Sequence, residues 1–168
     1  VHDTVRHMAE RAAQQIGKVF EGAVSSGRLG IEDLFDRNYQ PIPNTNPQKF
    51  KTRFDDFTDE VLPPIQEAML AENNAIAFVV AVDENGYLPT HNKKFAQPLT
   101  GDYDRDLVNN RTKRIFDDRT GGRCGNHTKP FLLQTYKRDT GEVMHDLSVP
   151  IYVNGRHWGG IRFGYRSD

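Results

Sequence analysis

The sequence predicts an α+β domain, and three observations carry the prediction. Apolar residues near the start recur at helical spacing. After Ala75 the period changes to that of strands, and the last third reads as strands joined by turns that contain glycine. A run of helices followed by a run of strands is the pattern of α+β folds, not of alternating βαβ units.

Val1, Val5, Met8, Ala12, Ile16, Val19 and Ala23 step by fours and threes, the stripe of an amphipathic helix. Such a stripe packs on its own domain or zips against a second copy, which makes the chain an expected homodimer. Gly27 and Gly30 bracket a break, dividing the chain into a helix over 1–26 and a domain over 27–168. The chain enters at Val1 inside the helical pattern with no signal peptide, as expected of a segment of a longer protein.

"IEDLFDRNYQ" predicts a short helix before the irregular "PIPNTNP". Asn46 and Pro47 fit the N-cap and first turn of a further helix, and Phe50, Phe54, Phe57 and Val61 supply its stripe. Pro63 and Pro64 are expected to interrupt it, with "IQEAMLAE" resuming as a turn or two. "AIAFVVAVDENGYLP" reads as a buried strand, a turn at Glu84-Asn85-Gly86 and the start of a return strand. From His91 to Lys129 there is little periodicity, and long loops on compact domains are functional or disordered. "FLLQTYKR", "EVMHDLSVPIYV" and "HWGGIRFGYR" close the chain as strands of an antiparallel meander. In the last of them Ile161, Phe163 and Tyr165 face one way and Gly160, Arg162 and Gly164 the other. Glycines there mark close approach by a ligand or by another element, such as a helix.

Composition removes several function classes. In 168 residues, 22 basic and 23 acidic side chains nearly cancel, so no bulk field favours nucleic acid or membrane. The single cysteine allows no internal disulfide, and no apolar run approaches the roughly 18 residues of a membrane span.

The blocks "LFDRNYQPIPNTNPQKFKTRF", "DENGYLPTHNKKFAQPLTG", "NRTKRIFDDRTG" and "PFLLQTYKRDTGEVMHDLSVPIYVNGRHWGGIRFGYR" together resemble the PAS-like, Cache-type sensor domain of bacterial methyl-accepting chemotaxis proteins. The resemblance covers most of the chain. It implies a long N-terminal helix, a central antiparallel sheet of about five strands, and a small-molecule pocket between one sheet face and the loops. It also implies a module beside the signalling helices of the same receptor, in the cytoplasm or, as the alternative, the periplasm.

Candidate chemistry follows from the polar residues. Tyr87 and His91 stand where a strand enters the long loop, a junction that the resemblance places at the pocket border; the alternative is a structural hydrogen bond. Arg111, Lys113, Arg114, Arg119 and Arg123 crowd one segment, and Arg114 stands for those able to hold a carboxylate or phosphate. The alternative is a solvated charged face. Gln134, Tyr136 and Arg138 share a strand face and line a cavity if the long loop covers them, and are otherwise merely exposed. Cys124 and His127 form one Cys-x-x-His pair, half of a metal site, which His91, His145 or His157 would have to complete. A haem would need non-covalent axial ligation, as by Met144 or His145, because no Cys-x-x-Cys-His occurs. An ordinary loop cysteine and histidine is the competing reading. Cys124 as a nucleophile lacks the strained elbow of a hydrolase, so no enzyme is expected. Trp158 reads as core packing or as a stacking surface for a partner helix. The expected function is thus ligand sensing, with a haem or metal sensor and a ligand-free dimerisation module as alternatives.

Overall fold

The computed structural model describes residues 1–137 and 140–167. Arg138 lies outside the described residues. In chain order the elements are α1 (His2–Ser25), α2 (Ile31–Leu34), β1 (Gln40–Pro41), β2 (Phe50–Lys51), α3 (Asp55–Ala71), β3 (Ile76–Asp83) and β4 (Tyr87–Leu88). A 3-10 turn (Lys93–Phe95) follows, then α4 (Tyr103–Asn109), β5 (Arg114–Ile115), α5 (Arg119–Asn126), β6 (Leu132–Lys137), β7 (Val143–Val153) and β8 (Arg156–Arg166). The fold is α+β around one four-stranded antiparallel sheet in the order β3-β8-β7-β6, the arrangement expected of a PAS-like domain. None of the helices in the described residues is long and apolar enough to cross a membrane.

The amphipathic stripe of α1 packs against its own sheet. Val5, Met8, Ala12, Ile16, Phe20 and Ala23 are buried in the main core, whereas Val1 is 61% exposed. Their partners come from alternate positions of the strands, including Leu147, Val149 and Ile151 of β7 and Ile161, Phe163 and Tyr165 of β8. Trp158 is fully buried among them, its ring 5.0 Å from that of Phe20 and 5.6 Å from that of Phe54. Its indole N–H donates to the Leu34 carbonyl at 2.8 Å, which ties α2 to the sheet.

α3 runs unbroken through Pro63 and Pro64, against the expected interruption. The carbonyls that these prolines leave without N–H partners belong to Asp59 and Glu60, both on the exposed side of the helix, where water can bond them. The helix also starts later than Asn46 suggests. The Asn46–Pro47 bond is cis, and the segment between β1 and β2 forms a turn. The entry to α3 is organised by Thr52 and Asp55: the Asp55 carboxylate accepts from the Thr52 hydroxyl at 2.8 Å and from its N–H at 3.1 Å. This is the capping-box spacing, and it stands in the sequence as "TRFD".

The return strand after Gly86 does not add a fifth strand to the main sheet. β4 pairs with β5 instead. Gly86 turns the chain away with φ +84°, and a Cβ there would lie 2.3 Å from the Phe116 carbonyl oxygen. The outer edge of β3 is already sealed by side chains. Gln66 accepts from the Ala81 N–H at 2.8 Å, and Asn92 accepts from the Val79 N–H at 2.9 Å while donating to its carbonyl at 3.0 Å. An edge strand closed in this way offers no ladder to a further strand.

The segment 91–129 holds two short helices that helical propensity hides. α5 reads "RTGGRCGN", a poor helix former. Packing overrides propensity there, because a Cβ on Gly125 would stand 2.0 Å from the Asp83 carbonyl oxygen. The glycines let the helix backbone lie directly on the sheet.

Two glycines give opposite expectations for stability. A Cβ on Gly159 would sit 2.0 Å from the Val82 carbonyl oxygen, so Gly159→Ala is expected to destabilise by at least about 1–3 kcal/mol. Gly22 is exposed in α1 with nothing within 4 Å, so Gly22→Ala is expected to stabilise by about 0.5–1 kcal/mol. Thermal denaturation of both variants checks this; equal shifts would contradict the packing described for β3 and β8.

Candidate functional site

The two faces of the sheet are covered unequally. One carries α1, α3 and the main core. The other bears a small cluster of Val80, Val82, Leu88 and Cys124, with Phe78 and Phe116 packed against it. α5 covers part of this second face, and Gly160 makes that possible: a Cβ there would be 2.4 Å from the Cys124 carbonyl oxygen. Beyond α5 the chain from His91 to Phe116 arches over the strands, touching them at its ends through Asn92 and Phe116. A cleft of about 820 Å³ remains, within the size range of small-molecule sites. Phe78 lies across its floor because Gly164 has no side chain; a Cβ there would be 2.1 Å from the Phe78 ring.

The cleft combines apolar walls with cations. Phe78, Val80, Leu88, Phe95, Val108 and Phe116 supply apolar surface, and Lys94, Arg111, Lys137, Arg162 and Arg166 supply positive charge. Among the described lining residues there is no Asp or Glu. Arg162 is 11% exposed and ion-paired with the fully buried Asp146 at 2.8 Å. Burial opposes the charge of Arg162, but Asp146 overrides it and holds the guanidinium more firmly protonated than usual. The pairing uses Nε and Nη2, so the guanidinium is held in one orientation where it lines the cleft.

His91 is the second oriented donor. It is 7% exposed, and its Nδ1 accepts the Asn92 N–H at 2.7 Å, which leaves the ring proton on Nε2. Burial, reinforced by Arg111, Arg162, Arg114 and Lys94, pushes its pKa down to about 3. His91 is therefore a neutral N–H donor at physiological pH. Its place in the fold follows from Asn92, whose side chain clamps Val79 on the β3 edge.

The other candidates fall in several places. Tyr136 lines the cleft with His91. Tyr87 is fully buried on the opposite side of its turn, where its hydroxyl donates to Asp55 at 2.7 Å and its ring stacks near Tyr39 and Phe54. Arg114 lies over the Phe116 ring at 4.8 Å and donates to the Leu107 carbonyl, so it braces the arch. Gln134 donates to the Thr120 carbonyl at 3.0 Å and secures α5. The Cys124 thiol is fully buried and donates to Asp146 at 3.2 Å; burial and the neighbouring carboxylate push its pKa up. His127 turns to the Ser148 hydroxyl at 2.9 Å. Among the described residues, no group of three or more His, Cys, Asp or Glu side chains is placed to hold a metal. His145 packs beside His2 and Tyr165 under α1, while Met144, its neighbour in the strand, faces the other side of β7.

Arg162, Asp146, Lys94 and Phe78 were not among the residues singled out from sequence. Arg162 had a visible signal, since it alternates with Gly160 and Gly164 on one strand face. Asp146 had a weaker one, a carboxylate within a largely apolar strand.

The neutral state of His91 sets a pH dependence. The unfolded chain takes up this proton near the ordinary histidine pKa of about 6.5, and the folded chain only near 3. Stability is therefore lost as pH falls through the interval between them, by about 2 kcal/mol for this group from pH 7 to pH 5. His127 and His145 are shifted down as well and add in the same direction. Urea unfolding at the two pH values is expected to show the loss, and His91→Gln to reduce it; an unchanged slope in the variant would count against a buried neutral His91.

No family model matches the chain, and no curated protein matches it. Among solved structures it is similar to an extracellular ligand binding receptor from Desulfohalobium retbaense DSM5692, at 17% identity and a TM-score of 0.42. The match covers 95% of this chain and 24% of the receptor chain, so this chain spans about a quarter of that receptor's length.

Proposed function

We propose that this domain is the sensory module of a bacterial chemoreceptor, binding a small molecule in the cleft between the sheet and the 91–116 arch and signalling through the packing of α1. The observation that carries the reading is the unequal cover of the sheet: one face is sealed by helices, and the other keeps a cleft of about 820 Å³ with oriented polar groups on its floor. The sequence resemblance to Cache-type modules supports the receptor context and the cytoplasmic placement, and α1 is the element that would join the signalling helices or a second copy.

The sheet links cleft and helix directly. Along β8, Arg162 and Arg166 face the cleft, whereas Phe163 and Tyr165 face α1. The Tyr165 hydroxyl meets His2 Nδ1 of α1 at 2.6 Å. A ligand that draws on Arg162 therefore acts on a strand whose other side holds the helix. The response is bounded by the ligand's unequal affinity for two α1 arrangements; a ~10-fold preference corresponds to about 1.4 kcal/mol. No catalytic step is required.

A thermal-shift screen over organic acids, amino acids, nucleotides, neutral metabolites and metal ions tests the reading. A ligand at 100 times its Kd is expected to stabilise by about 2.7 kcal/mol, or about 5–10 °C for a chain of this size. Hydrogen exchange in α1 should change with the same ligand. Stabilisation by no compound of any class would leave a ligand-free dimerisation module as the better account.

A further inference from the structure

The cleft also specifies what kind of molecule it takes, an inference that rests on the binding role proposed above. We propose that its ligand is an organic acid with an apolar body at least the size of a benzene ring, its carboxylate held by Arg162 and His91 and its body by Phe78, Val80, Leu88 and Phe116.

The head-group site rests on two donors with fixed orientation. The Asp146 pair holds the Arg162 guanidinium in place through Nε and Nη2, and among the described residues no hydrogen bond of its Nη1 is found. Arg162 sits over the Phe78 ring at 5.4 Å, and His91 meets the same ring in a T-shaped contact with centroids 6.2 Å apart. Both groups thus border the Phe78 ring, and both line the cleft. A planar carboxylate matches the guanidinium fork. His91 donates without adding charge, so the site is not restricted to acidic pH.

The remaining surface decides against other classes. A cation is disfavoured against an anion, since Lys94 and Arg166 line the cleft beside the Arg162–Asp146 pair and no described lining residue is acidic. Inorganic phosphate and sulfate need donors on every side, and the apolar walls leave such oxygens without partners. Acetate would fill only the head-group patch and leave a cleft of about 820 Å³ largely in contact with water. An apolar body buries that surface, which favours the larger acid.

Isothermal titration calorimetry of the whole chain with benzoate, phenylacetate, acetate, benzyl alcohol and inorganic phosphate tests this. The two aryl acids are expected to bind at least 10-fold more tightly than acetate, benzyl alcohol or phosphate, and to weaken as salt rises. Lys94→Gln is expected to reduce the affinity about 3-fold at unchanged Tm. The double variant Arg162→Gln with Asp146→Asn, which leaves no buried charge unpaired, should reduce it at least 10-fold. The His91 ring resonances should shift on titration with benzoate and not with phosphate. Benzyl alcohol or phosphate binding as tightly as benzoate would overturn the inference while leaving a small-molecule sensor. Aryl acids that fail to bind while another class from the wider screen does bind would do the same. Failure of every compound in both experiments would overturn the sensor reading itself.

Discussion

A buried carboxylate organises the face of the sheet that bears the cleft. Asp146 is fully buried at the middle of β7, and no carboxylate is tolerated there without partners. Arg162 on the adjacent strand supplies the countercharge, and the Cys124 thiol adds a hydrogen bond from α5. The pair is costly to assemble and costlier to break, since removal of one member of a buried ion pair typically destabilises by about 3–5 kcal/mol. Its consequence is positional: an arginine that would otherwise reach for water is held flat on the cleft floor. The same network anchors α5 to the sheet, which sets where the covered part of the face ends and the cleft begins.

Glycine does the complementary work. Gly160 and Gly125 allow the α5 backbone to rest against the strands, and Gly164 allows Phe78 to lie across them. These positions thin the layer on this face, and the apolar cluster there is small. On the other face, large side chains from α1, α3 and the strands interlock around Trp158. One sheet thus has a side packed by helices and a side that keeps a cleft. Under the proposed sensory role, a perturbation at Arg162 would reach Phe163 and Tyr165 along a single strand.

Much of the architecture was legible in sequence, and the parts that were not share a cause. The α1 stripe, the short α2, β3 and the three final strands follow from periodicity and from turns such as "VNGR". The misjudged elements are those for which local propensity and tertiary contact disagree. Prolines at 63 and 64 argue against a helix, yet α3 continues because its exposed side can leave carbonyls to water. "RTGGRCGN" argues against a helix, yet α5 forms because only glycine fits between it and the sheet. Of the candidate site, His91 and Tyr136 reach the cleft. Tyr87, Arg114, Gln134, Cys124 and His127 serve the scaffold around it, a distinction that residue type alone does not carry.

The sequence by itself determined that helices precede an antiparallel meander, that one strand face carries arginine among glycines, and that a long polar segment separates the first strand from the last three. Those facts depend on spacing along the chain, which periodicity reads directly. The tertiary structure alone decided which polar residues converge. Asn92 places His91 by bonding Val79, and Asp146 orients Arg162 from a neighbouring strand. Such placements join residues far apart in sequence, through register and packing that no local pattern encodes.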